Sequence, residues 1–156
     1  MKDESICCPE FNPEPWDNKS FEWTNKKFIS AKVNTFLYMP IGFGKAMERL
    51  TKLIDDAGAN FEDALCISST KSMWSMDLFL AVDKEISGAK NVSLSGKYFS
   101  KVYEGSYSET GKWMADFSKA LAVKGYTQKA LYSWYTTCPK CAVKYGKNYV
   151  VLISEI

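Results

Sequence analysis

Gly44-Lys45-Ala46-Met47 comes back as Gly111-Lys112-Trp113-Met114, and the match keeps its register beyond the tetrapeptide. Leu50 stands where Phe117 does, Lys52 where Lys119 does, Ile54 where Leu121 does and Gly58 where Gly125 does. Each block follows an aromatic-rich run and precedes two more. Two copies are too few for a solenoid or propeller. They predict one domain with an internal pseudo-two-fold, whose seam is a natural place for a ligand groove.

Around the repeated block, the spacing predicts a helix from Phe43 to Ala57 with Ala46, Met47, Leu50 and Ile54 on one stripe. A second helix is predicted from Glu109 to Lys124 with Trp113, Met114, Phe117 and Leu121 inward. Gly58 and Gly125 follow as left-handed caps. Alternating runs predict strands at Ser20–Trp23 and Lys27–Tyr38, parted by a turn at Thr24-Asn25-Lys26. Further strands are predicted at Ala64–Thr70, Ser75–Asp83, Lys97–Tyr103, Leu131–Thr137 and Asn148–Ile156. The expected fold class is α+β: a strand–helix–strand–strand unit duplicated over about 27–86 and 96–156. Its largely antiparallel curved sheet carries both helices on one face and a central groove on the other. Residues 1–20, with Pro9, Pro13 and Pro15, form an irregular arm pinned by Phe11 and Trp16; residues 21–156 form a single domain.

A chain of 156 residues suits one domain with a real core. Its net charge of +2, without a Lys/Arg cluster, gives no footprint for nucleic acid. It has no His, which excludes every catalytic arrangement built on imidazole and the commonest metal ligand. The polar start Met1-Lys2-Asp3-Glu4-Ser5 is unlike a secretory signal, and no apolar run is long enough to span a bilayer. The expectation is a soluble, cytoplasmic monomer with no nucleic-acid and no membrane partner.

The stretch Gly96-Lys97-Tyr98-Phe99, then Val102-Tyr103 and Gly105-Ser106-Tyr107, followed by an amphipathic helix ending at Gly125-Tyr126, resembles the gyrase-inhibitor-like (GyrI-like) small-molecule-binding domain. The effector domains of multidrug-sensing regulators and the SOUL-type haem-associated proteins share that duplicated fold. The resemblance covers about residues 27–156 and implies an aromatic-lined groove between the pseudo-repeats. Drug-sensing members often carry a buried Glu on the strand after the second helix, but Leu131–Thr137 has no carboxylate. A flat hydrophobic or amphipathic small molecule is therefore the expected ligand, rather than a cation.

Tyr132 and Trp134 share one face of their strand and, joined by Tyr38, Trp74 and Tyr107, are the candidate ligand-binding residues. The competing reading is that they fill the core beneath the helices. Glu104 and Tyr107 are the candidate catalytic residues: a carboxyl in an apolar groove can activate water, because desolvation raises its pKa. An exposed, solvated Glu at a turn is the bland alternative. Cys138-Pro139-Lys140-Cys141 has metal-knuckle spacing, and Cys7 and Cys8 would complete a four-sulfur site, for which zinc is the natural cofactor. A redox pair, or thiols packed as small hydrophobes, are alternatives to that site. The functions in view are a stand-alone binding protein, a hydrolase of reactive small molecules using a Glu/Tyr pair, and a cysteine-based metal or redox protein.

Overall fold

Side chains along a pleated strand alternate between two faces, yet in strand β1 (Lys19–Phe36) the consecutive residues Phe28, Ile29, Ser30 and Ala31 are all buried. Over that stretch the strand is covered on both sides. The computed structural model describes residues 11–37, 39–136 and 148–156. Two compact units are formed: Trp23–Ser95, the first-repeat unit, and Gly96–Ile156 with the N-terminal segment up to Glu22, the second-repeat unit.

In the first-repeat unit β1 leads through β2 (Met39–Ile41) into α1 (Phe43–Asp56), then β3 (Phe61–Ser72) and β4 (Ser75–Val82). β1 pairs antiparallel with β4, from Phe28 opposite Ala81 to Asn34 opposite Ser75, and with β2, Asn34 opposite Ile41. β3 and β4 form a hairpin. Ala46, Leu50 and Ile54 of α1 pack on Ile29, Ala31, Val33, Leu78 and Leu80. Gly58, at φ +65, lets the chain reverse, so that the Ala59 N–H reaches back to the Ile54 carbonyl at 3.0 Å.

The second-repeat unit also runs strand, helix, strand, strand, with a 3-10 turn and no counterpart of β2 among the described residues. β5 (Lys90–Glu104), which starts in the preceding unit, is followed by a 3-10 turn (Tyr107–Glu109), α2 (Thr110–Val123), β6 (Leu131–Tyr135) and β7 (Tyr149–Glu155). β7 is paired on one side with β5, Glu104 opposite Tyr149, and on the other with β6, Tyr135 opposite Val150. Trp113, Phe117 and Leu121 of α2 pack on Phe99, Val150 and Leu152. The Tyr126 N–H bonds the Leu121 carbonyl at 2.9 Å, matching the end of α1.

The expected α+β groove fold is overturned. The fold is mostly β: among the described residues 50% lie in strands against 23% in helix. Two physical reasons account for the difference. First, β1 runs unbroken for 18 residues through the predicted Thr24–Lys26 turn, with Asn25 absorbing a φ of +50 inside the strand. β5 runs for 15 residues because its polar first half alternates as a strand without carrying enough apolar side chains to announce itself. Second, the sheet faces opposite the helices are filled. Phe28, Leu65, Ile67 and Ala81 are fully buried, as are Tyr98, Ser100, Val151 and Ile153.

Cys66 of β3 packs into the α1 side, its thiol 3.7 Å from the Met47 thioether, and burial pushes it up to about 12. A thiol held neutral is unreactive. Cys66 is expected to resist a thiol-specific disulfide reagent in the native protein and to react on unfolding, followed by counting modified cysteines by mass.

Candidate functional site

The aromatic face expected to hold a ligand lies in the second-repeat unit, and the N-terminal segment occupies it. Tyr98, Ser100 and Val102 of β5 share this face with Tyr132 and Trp134 of β6, as the register through Ile153 and Val151 requires. The Phe11 ring lies 5.2 Å from Trp134 and 5.6 Å from Tyr149, and Trp16 meets Trp134 edge-on at 5.1 Å. The segment is fastened by the Ser100 hydroxyl, which donates to the Trp16 carbonyl at 2.6 Å, and by the Val102 N–H, which donates to Asp17 Oδ1 at 3.1 Å. Trp134 is left 4% exposed and Tyr132 8%. The cover over these two rings comes from the protein itself, and the expected open face is absent.

Burial raises the Tyr98 phenol to about 12, with Tyr132 and Glu155 nearby adding to the effect, and raises Tyr132 in the same direction. A phenol held neutral in the folded state contributes stability that is intact below its unfolded value near 10.0 and lost as pH climbs toward 12. Tyr98→Phe is therefore expected to move alkaline unfolding to higher pH, read by following tyrosinate absorbance and circular dichroism together.

At the far end of β5 a polar corner forms. Gly105 leaves the strand at φ +142, and a Cβ there would come within 3.5 Å of the Trp113 ring. Its N–H donates to the Asn148 carbonyl at 3.1 Å, and its carbonyl accepts from Asn148 Nδ2 at 2.6 Å, which clamps the end of β5 to the start of β7. Asn148 Oδ1 is buried without a partner among the described residues. The Ser106 and Ser108 hydroxyls lie 2.9 Å apart, and Ser106 Oγ also accepts the Ser108 N–H at 3.3 Å, which sets the tight turn into α2. On the α2 side, Asp116 Oδ2 accepts from Lys101 at 2.7 Å and from the Tyr103 hydroxyl at 2.6 Å. Those two bonds, that of Lys101 first, hold the Asp116 carboxyl below the usual range. Burial and then the Asp116 bond push the Tyr103 phenol well up.

Glu104 ends β5 at this corner, exposed, with no hydrogen-bond or ion-pair partner among the described residues. Tyr107 opens the 3-10 turn beside it, its side chain outside the described set. Trp74 belongs to the first-repeat unit, exposed in the β3–β4 turn against Phe36. Tyr38, Cys7, Cys8, Cys138 and Cys141 lie outside the described residues, and with them the zinc and redox expectations. Among the described residues no three His, Cys, Asp or Glu converge as a metal site. Sequence reasoning did not single out Ser106, Ser108, Asn148 or the Lys101–Asp116–Tyr103 cluster. The run Gly105-Ser106-Tyr107-Ser108-Glu109 before a helix is a legible turn signal, whereas nothing local marks Asn148.

A family model described as bacterial hydrolase matches residues 1–156, the whole chain. No curated protein matches it. The match overturns the GyrI-like and SOUL resemblance, and with it the ligand-groove character that resemblance implied. The glycine–lysine–tyrosine run that carried it is explained by strand packing: Gly96, at φ +132, lies against Glu155, and Tyr98 is buried against Phe21 at 5.9 Å.

Proposed function

This chain belongs to the bacterial hydrolase family, and from that premise we propose that it cleaves a small electrophilic substrate, such as an activated ester, at the β5–α2 corner, with Glu104 as general base for the attacking water. Without imidazole in the chain, the base must be a carboxylate, a phenolate, an amine or a thiolate. Four carboxylates stand near this corner, and one of them, Asp17, already accepts the Val102 N–H at 3.1 Å. Asp116 is held by Lys101 and Tyr103 and is a weak base, and Glu109 lies 3.7 Å from Lys112. Glu104 alone engages no partner among the described residues, and this is the observation that carries the reading.

The serines take a different part. Ser106 and Ser108 bond each other, and among the described residues neither bonds a side chain that would activate it as a nucleophile, so their role is to donate to the substrate's carbonyl oxygen. The step balances simply: water adds to the electrophilic carbon, its proton passes to Glu104, and the leaving group departs with that proton. A non-catalytic binding function loses its support because the aromatic face is filled by Phe11 and Trp16.

A panel of chromogenic esters assayed in oxygen-18 water tests the assignment. One labelled oxygen in the acid product, with turnover abolished by Glu104→Gln and weakened by Ser106→Ala, is the expected result. Full turnover in Glu104→Gln rules out the assignment.

A further inference from the structure

At one end of the first-repeat unit the large apolar side chains turn outward. Phe36, Leu37, Ile41 and Trp74 are each more than half exposed, and Met73 is exposed by more than a third. The other large apolar side chains exposed among the described residues, Val123 and Tyr135, lie on α2 and β6. The five belong to two chain reversals that are tied together. The Thr35 N–H donates to the Trp74 carbonyl at 2.9 Å, the Thr35 hydroxyl donates to the Met73 carbonyl at 2.8 Å, and the Phe36 ring lies 5.7 Å from Trp74.

A solvent-facing turn ordinarily uses Gly, Asn or Asp. Here Leu37 itself occupies the left-handed region, at φ +48. Clustered exposed apolar side chains mark a surface meant to be covered. What covers them follows from shape and charge. The apolar groups sit at the tips of turns, which suits insertion into a soft medium. The charged residues on the adjoining strands and first helical turns are Lys32, Lys45, Arg49 and Lys71 against Glu48 and Asp77, and Asp77 already faces Lys71 at 3.6 Å. Cations are in excess around an apolar tip bearing Trp and Phe, the pattern that settles at an anionic bilayer surface.

We propose that this end of the first-repeat unit is a lipid-surface anchor, inserting Phe36, Leu37, Ile41 and Trp74 into the headgroup region of an anionic membrane. No helix among the described residues is long and apolar enough to cross a membrane. The expectation of no membrane partner rested on the lack of a spanning run, which a surface anchor does not need. The anchor is argued from residues that take no part in the proposed hydrolysis, and its test does not require turnover.

The full chain is sedimented with phosphatidylcholine vesicles, with and without phosphatidylglycerol, at two salt concentrations. Binding should require phosphatidylglycerol, weaken with salt, and fall roughly fivefold when Lys45 is replaced by Gln. The Phe36→Ser/Ile41→Ser double variant should bind at least about tenfold more weakly. Brominated lipid should quench tryptophan fluorescence in the parent and leave Trp74→Phe unquenched. The proposal is overturned by absence of binding to anionic vesicles, by unchanged binding of the double variant, or by quenching that persists in Trp74→Phe. It is also overturned by vesicle-independent self-association that the double variant abolishes, which would make a second copy the occupant.

Discussion

Glu104→Gln is expected to lower kcat on an activated ester by about 10²–10⁴-fold, the usual contribution of a positioned general base. The substitution keeps the shape of the side chain and removes only its capacity to take a proton. Glu104 is exposed and unpartnered among the described residues, so the fold should not notice the change. KM should stay within a few fold, because a base that acts on water contributes little to ground-state binding. Asp116→Asn is the matched control. It removes a carboxylate from the same corner, but one occupied by Lys101 and Tyr103, and should leave kcat nearly intact. Equal losses in the two variants would show that the corner responds to general disturbance and that Glu104 has no special part. Steady-state kinetics on the two purified variants decide the point.

Phe117→Ala is expected to destabilise the protein by about 3–5 kcal/mol, the range for emptying a fully buried aromatic site. Phe117 is completely buried, stacks on Phe99 at 5.9 Å between centroids, and sits among Trp113, Leu121, Val150 and Leu152. Its counterpart in the repeat, Leu50, is 2% exposed and packs on Ile29, Leu78 and Leu80. Leu50→Ala should cost about 2–5 kcal/mol. Denaturant unfolding followed separately by far-ultraviolet circular dichroism and tryptophan fluorescence would measure both. The buried Trp113 and Trp134 are native reporters of packing. A loss below about 1 kcal/mol for Phe117→Ala would mean that α2 does not rest on its sheet as described.

Both helices were legible to within a residue or so at each end. Apolar side chains recur at the helical period in 43–57 and 109–124, and Gly58 and Gly125 mark the stops. The strands were legible in place and not in length. Val92 and Leu94 alternate with Asn91, Ser93 and Ser95 in the first half of β5, too few apolar side chains to separate a strand from a polar linker. The short β2 was missed because Pro40 stands in its middle, and proline is admitted to a strand only at an edge or irregularity. The candidate site divides in the same way. Glu104 is found by its position at the end of an alternating run, whereas the Gly105–Asn148 clamp joins residues 43 positions apart and leaves no local trace.

The amino-acid order alone determined the two helices and the absence of imidazole chemistry. These depend on periodicity and composition, which are properties of neighbouring residues. Only the tertiary structure decided what lies over the aromatic face of β5 and β6. Trp134 has the same alternation whether it lines an open groove or sits beneath Phe11 and Trp16. Burial is settled by which distant segment of the chain comes to rest there, and no local pattern carries that information.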